Sequence, residues 1–138
     1  MEEQKQAILS VENLKISIRM EEGVLTPVRG VSFQIREGET MGLVGESGCG
    51  KSLTSKAILG INTANCKTEG TITFSIDGHS QDLLKLKHNG AEIRKIRGKD
   101  ISMIFQEPMT SFSPLFTVGS HIAAAVRTPT GKKKQEAR

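Results

Sequence analysis

The sequence predicts an α/β fold: a strand–loop–helix core with an antiparallel β region before it. Three observations carry this expectation. Within residues 7–36, short runs alternate apolar and polar side chains, as half-buried antiparallel strands do. Residues 40–44 form a short apolar run that passes directly into a glycine-rich loop and then a helical pattern. Residues 101–105 give a second short apolar run, a second buried-strand candidate.

Taken in order, residues 7–11 and 15–20 read as two short strands, the second with Ile16 and Ile18 on one face. Residues 21–27 read as a turn region. Residues 28–36 then alternate, placing Val31, Phe33 and Ile35 on one face, and Glu37, Gly38 and Glu39 form a turn. Residues 40–44 have the pattern of a buried central strand and 45–50 that of a loop. Residues 51–60 read as a helix with Leu53, Ala57, Ile58 and Leu59 turned inward and Gly60 as its stop. A polar loop over 62–69 precedes a strand over 70–76, closed by the Asp77-Gly78 turn signal. Residues 83–86 and 91–96 suggest short helical pieces, and 101–105 a strand. Residues 106–114 suggest a loop rich in Pro and Ser, and 118–126 a helix. Thr128, Pro129, Thr130 and Gly131 are expected to break that helix, and 132–138 to begin another.

A chain of 138 residues suits one modest domain, here residues 1–138. Apolar residues at 36%, joined by 14 glycines, argue against disorder, and five Phe with no Tyr or Trp imply an aliphatic core. The net charge is +4, with basic runs at 94–99 and 132–134. No aromatic residue is interleaved with either run, so they read as solvated faces, and nucleic acid is not an expected partner. The acidic, polar start MEEQKQ is no secretory signal. No apolar run approaches the roughly 20 residues needed to cross a bilayer. Cys49 and Cys66 show neither metal spacing nor a CxxC pair. A structural disulfide is not expected, which agrees with a reducing compartment.

The strongest chemical signal is GESGCGKS, residues 45–52, which matches G-x-x-x-x-G-K-[ST] at Gly45, Gly50, Lys51 and Ser52. Glycines let successive backbone N–H groups curl around a phosphate without Cβ clashes. The helix that follows aims its N-terminal amides and positive dipole end at the same anion. Lys51 brings a full charge to the β- and γ-phosphates, and the Ser52 hydroxyl can ligate Mg²⁺. A chain of this length matches the pattern by chance on the order of once in a hundred. The expected nucleotide-binding residues are Gly45, Glu46, Ser47, Gly48, Cys49, Gly50, Lys51, Ser52 and Leu53. Cys49 reads as an ordinary variable position of the loop.

A P-loop defines a superfamily, not a task. The discriminating stretch is ISMIFQEPMTSFSPLFTVG, residues 101–119, with VRGVSFQIREGETMGLVGESGCGKS, LLKL and RKIRGKDISMIFQEPM in order along the chain. Together they closely resemble the ATP-binding subunits of ABC transporters. In particular they look like the dipeptide/oligopeptide importer branch, some members of which carry nickel. The resemblance implies a P-loop NTPase core of the ABC ATPase type, with ATP and Mg²⁺ as cofactors. It places Gln106 at the Q-loop, as an Mg²⁺ ligand that positions the attacking water, and makes Lys51 and Gln106 the catalytic residues and Ser52 and Gln106 the metal ligands. Residues 107–114 would meet the coupling helix of a membrane-spanning permease. Thr117 onward would open the helical subdomain.

The implied function is ATP-driven uptake of di- and oligopeptides, by a peripheral protein on the cytoplasmic face of the inner membrane that works as a pair of ATP-binding subunits. Two departures bear on it. The family stacks an aromatic on adenine, and the candidate position here, near Leu25 or Val28, holds none. Ser113-Pro114 also stands where Asn-Pro is commoner. The 138 residues are expected to stop before the LSGGQ-type signature, the second acidic strand motif and the switch histidine, and so to hydrolyse little or no ATP. The alternatives are a non-hydrolytic nucleotide-binding fragment and a P-loop ATPase outside transport, such as an ABC-type DNA repair protein. The Phe105-Gln106-Glu107-Pro108 context and the lack of inserted zinc-binding cysteines favour transport.

The remaining polar residues read as structural. His79, His88 and His121 are too scattered for a metal site. Asp77 belongs to its Asp-Gly turn, and Asp82 is the expected cap before Leu83. Met103 and Ile104 read as strand core.

Overall fold

A computed structural model describes residues 6–106 and 112–130, the side chains of 127–130 excepted. The chain divides into two units, one ending at Ile93 and one beginning at Arg94. In the first, four strands form an antiparallel sheet: β1 (Ala7–Met20), β2 (Gly23–Arg36), β3 (Cys66–Ile76) and β4 (His79–Asp82), in the spatial order β2-β1-β3-β4. Helix α1 (Lys51–Ile58) lies between β2 and β3 in sequence, and a 3₁₀ turn (Leu83–Lys85) and helix α2 (Ala91–Ile96) follow β4.

The two strands expected over 7–11 and 15–20 are one strand with a bulge. Val11 pairs with Phe33 and Leu14 with Val31, so β1 spends one residue more than β2 across this interval. Glu12↔Thr71 and Lys15↔Glu69 show the same offset against β3. Asn13 takes up the extra residue with φ +48°, and its N–H donates to Ser32 Oγ at 2.8 Å. The bulge returns Leu14 and Ile16 to the face already used by Leu9 and Val11, and all four are buried. Opposite it, Gly70 has φ +112°, and a Cβ there would lie 2.7 Å from the carbonyl oxygens of Glu12 and Asn13. Only glycine fits that position.

The turn expected over 21–27 is shorter. Met20 pairs with Gly23, so Glu21 and Glu22 alone make it, and β2 runs through Pro27. β2 is an edge strand and is irregular there, with Ile16 facing Val28 and Ile18 facing Leu25, which is where a sheet tolerates proline. Asp77 (φ +50°) and Gly78 (φ +77°) form the β3–β4 hairpin turn with both central residues left-handed, as a type I′ turn requires. Asp82 caps the 3₁₀ turn by accepting from Leu84 N–H at 3.1 Å, and the same oxygen accepts from Ile72 N–H at 3.3 Å. The core joins Val28, Ile72 and Phe74 of the sheet to Ala57, Leu59, Leu83 and Ile93.

Two expected strands do not form. Residues 40–44 and 101–105 carry no strand assignment beyond a single bridge between Arg97 and Ile101. Val44 is 94% exposed and Ile104 96% exposed. An apolar run becomes a central strand only when neighbouring strands satisfy its N–H and C=O groups and layers cover both faces. Among the described residues no strand pairs with either segment.

In the second unit, a tight turn joins the end of α2 to Ile101, with Gly98 N–H on Ile101 O at 2.8 Å and Ile101 N–H on Ile96 O at 3.1 Å. Helix α3 (Val118–Thr130) is longer than its sequence pattern, continuing past the expected break at Thr128 and Pro129. Pro129 lies one residue from its end, where a missing donor disrupts little of the helix. Thr117 opens α3, its Oγ1 accepting from Ser120 N–H at 3.3 Å. His121 packs edge-on with Phe112 and Phe116, at centroid distances of 5.4 and 6.0 Å. The expected helix over 132–138 and residues 107–111 lie outside the described residues.

Candidate functional site

The loop over 45–50 is shaped by three glycines, each for its own reason. At Gly45 a Cβ would meet Cys49 Sγ at 2.5 Å. Gly48 has open space around it but a φ of +81°. Gly50 combines both constraints: φ is +96°, and a Cβ would stand 2.6 Å from Val28 Cγ2 and 3.2 Å from Pro27 O. The loop's last residue is thus seated against β2 at Pro27 and Val28.

Gly50 is also the N-cap of α1, and it supplies no side-chain cap. The first helical amide to find its backbone acceptor is that of Thr54, 2.9 Å from Gly50 O. The N–H groups of Lys51, Ser52 and Leu53 therefore open the helix without an intrahelical partner. No acidic side chain stands in this first turn. Open amides, a positive dipole end and the absence of a competing carboxylate favour an anion at this point.

Lys51 folds back over the loop. Its Nζ donates to Gly45 O at 2.7 Å and Glu46 O at 2.6 Å, and lies 3.3 Å from Cys49 Sγ. The ammonium is thereby held at the mouth of the loop by neutral carbonyl dipoles. A phosphate oxygen makes a charge-assisted bond, roughly twice as strong as a neutral one, and can draw Lys51 away from them. Ser52 is exposed and Leu53 half-buried.

Of the residues expected at the site, Gly45 through Leu53 come together in this one loop–helix junction. Gln106 is an exposed residue of the second unit, just after segment 101–105, which joins no sheet. Of the two positions considered for the base, Val28 is buried beneath Gly50, whereas Leu25 is 51% exposed. Val28 thus serves the packing of the loop, which leaves Leu25 as the accessible side chain.

Two contributors escape the sequence pattern. Thr54 is buried, and its Oγ1 donates to Gly50 O at 3.0 Å, so side chain and backbone of one residue both hold the last carbonyl of the loop. A Thr four residues after a Gly is a weak signal for such back-bonding. The Val28–Gly50 contact joins residues far apart in sequence and leaves no local signal. Both cysteines are free, and among the described residues no group of three or more His, Cys, Asp or Glu could hold a metal ion.

A family model described as ABC transporter matches residues 28–138. The chain belongs to the ABC transporter family. It is 44% identical over 133 residues to the dipeptide transport ATP-binding protein DppD of Bacillus subtilis (strain 168), covering 95% of this chain and 38% of that protein. It is 38% identical over 131 residues to the glutathione import ATP-binding protein GsiA of Escherichia coli (strain K12), covering 94% of this chain and 21% of that one. The chain therefore spans well under half the length of these relatives. Its antiparallel sheet with few helices agrees with the α/β, ABC ATPase-type fold that the sequence predicts.

Proposed function

We propose that this chain is the N-terminal part of the nucleotide-binding domain of an ABC importer for di- or oligopeptides, and that residues 45–53 bind ATP. The observation that carries the proposal is the loop–helix junction: uncapped amides at Lys51, Ser52 and Leu53 beside the Lys51 ammonium. In this reading the amides hold the β-phosphate, and Lys51 exchanges the carbonyls of Gly45 and Glu46 for β- and γ-phosphate oxygens. Ser52 would offer its hydroxyl to Mg²⁺, while for Gln106 the roles of Mg²⁺ ligand and water-orienting amide rest on the resemblance of its sequence context alone. A hard cation that takes one or two protein oxygens and otherwise phosphate and water suits this donor set. Mg²⁺ held by these oxygens would supply positive charge to offset the negative charge of the phosphates.

The names of the two relatives support peptide uptake as the coupled process. Membrane-spanning permease subunits and a second ATP-binding subunit are the proposed partners, on the cytoplasmic face of the membrane. No described helix is long and apolar enough to cross a bilayer itself. A second reading, nucleotide binding without turnover by these 138 residues, is favoured by one observation. The segments flanking the P-loop and Gln106, residues 40–44 and 101–105, have no sheet to fix them.

Calorimetric titration with Mg·ATP tests the binding proposal. Lys51→Ala removes one charged donor and should weaken affinity roughly 10- to 100-fold. Unchanged affinity would refute the assignment. Phosphate release separates the two readings: a Lys51-dependent rate of about 1 s⁻¹ or more, within the ordinary range for enzymes, would exclude the non-hydrolytic one.

A further inference from the structure

A cavity lies in the first unit, at the opposite end of the P-loop helix. Its volume is about 550 Å³, within the size range of small-molecule sites. The C-terminal end of α1, the start of β3, the 3₁₀ turn and the loop before α2 line it, and it is open to solvent on one side. Ala57, Leu83, Leu86 and Ile93 give it apolar walls, and Asn62, Thr63, Thr68 and Asn89 give it neutral polar ones. His88 and Cys66 are the titratable side chains of its lining, which holds no Asp, Glu, Lys or Arg. Asn62 ties this wall to the helix, its Nδ2 donating to Leu53 O at 3.2 Å, while its buried Oδ1 finds no donor among the described residues.

This chemistry is the reverse of the P-loop's. A triphosphate placed here would lose its water and meet at most the His88 imidazole as a counter-charge, and a cation would meet no carboxylate at all. We infer that the cavity is a second binding site, for an uncharged organic molecule with an apolar body and one or two hydrogen-bonding groups. The ligand's body lies against the four aliphatic side chains, and its polar end faces the amides and hydroxyls. The cavity and the P-loop share α1, whose eight residues separate them by about 12 Å. The site does not depend on the nucleotide assignment.

Indole is a suitable neutral probe, with indole-3-acetate and tryptamine as its anionic and cationic counterparts. The chain contains no Trp or Tyr, so indole emission reports the probe alone. Titration of the 138-residue chain should show saturable indole binding, with both charged counterparts weaker by about tenfold or more. Amide shifts should centre on Ala57, Asn62, Thr63 and Asn89. Thr68→Phe fills the cavity and Ala64→Phe narrows its rim. Each should weaken indole by about tenfold or more, whereas Lys51→Ala should leave it unchanged. No saturable indole binding, equal binding of all three probes, or shifts confined to exposed apolar residues of α3 would overturn the inference. So would full indole affinity in Ala64→Phe with an unaltered circular dichroism spectrum.

Discussion

Replacing Gly50 by alanine tests whether the P-loop is held in shape by its seat against β2. The substitution meets two obstacles. At φ +96° an L side chain sits in a left-handed conformation that costs about 1–2 kcal/mol. The new methyl would also stand 2.6 Å from Val28 Cγ2, in a buried contact with little room to relax, and overpacking of this kind costs about 1–3 kcal/mol. The sum is about 2–5 kcal/mol, a large share of the roughly 5–15 kcal/mol that holds an ordinary domain together. Gly48→Ala isolates the first term, because its φ is +81° while nothing lies within 4 Å of the added methyl. Urea denaturation followed by circular dichroism should therefore place Gly50→Ala below Gly48→Ala by about 1–3 kcal/mol. Val28→Ala in the Gly50→Ala background should show favourable coupling, since it removes the clashing methyl. Equal losses in the two glycine variants, or additive effects of Gly50→Ala and Val28→Ala, would show that the Val28 contact does not shape the loop.

Three further predictions follow from single contacts. Thr54→Val keeps the shape and removes the bond to Gly50 O, so it should cost about 1 kcal/mol in urea denaturation and shift the amide resonances of 50–52. Asp82→Ala leaves the amides of Leu84 and Ile72 without their acceptor and should cost about 1–3 kcal/mol, whereas Asp82→Asn should recover much of that. The hydrogen bond from Lys67 and the charge behind it hold the Glu69 carboxyl below its usual range. The stability it lends is therefore present above the ordinary carboxylate pKa and lost as pH falls through the lowered one. Lys67→Ala should move the Glu69 midpoint upward in an NMR titration.

Features fixed by neighbouring residues were legible in the sequence. Asp77-Gly78 specifies its own left-handed turn, Asp82 its cap, and Gly45–Ser52 the loop before a helix. Helix α2 occupies the predicted span. Features that depend on a partner were not. Residues 40–44 have the composition of a buried strand, but composition cannot supply the neighbour that makes one. His79–Asp82 shows no apolar alternation and becomes a strand only because the hairpin lays it along β3. The bulge at Asn13 breaks the alternation, so one strand reads as two. At the site, the loop motif was legible, whereas Thr54 and Val28, which hold it in place, touch it only in three dimensions.

The extra residue at Asn13 imposes a parity rule on the sheet. Side chains alternate between faces, so taking one residue out of β1 at this point would turn the whole of its second half over. Leu14 and Ile16, both with no exposed surface, would face water, and Lys15 would face the core. Losing two residues would shorten the strand yet keep its sides. Ile16 is the partner of Val28, and Val28 is the seat of Gly50. The form of the loop over 45–50 thus depends on an odd-or-even count of residues made in the first strand, well before the loop itself begins.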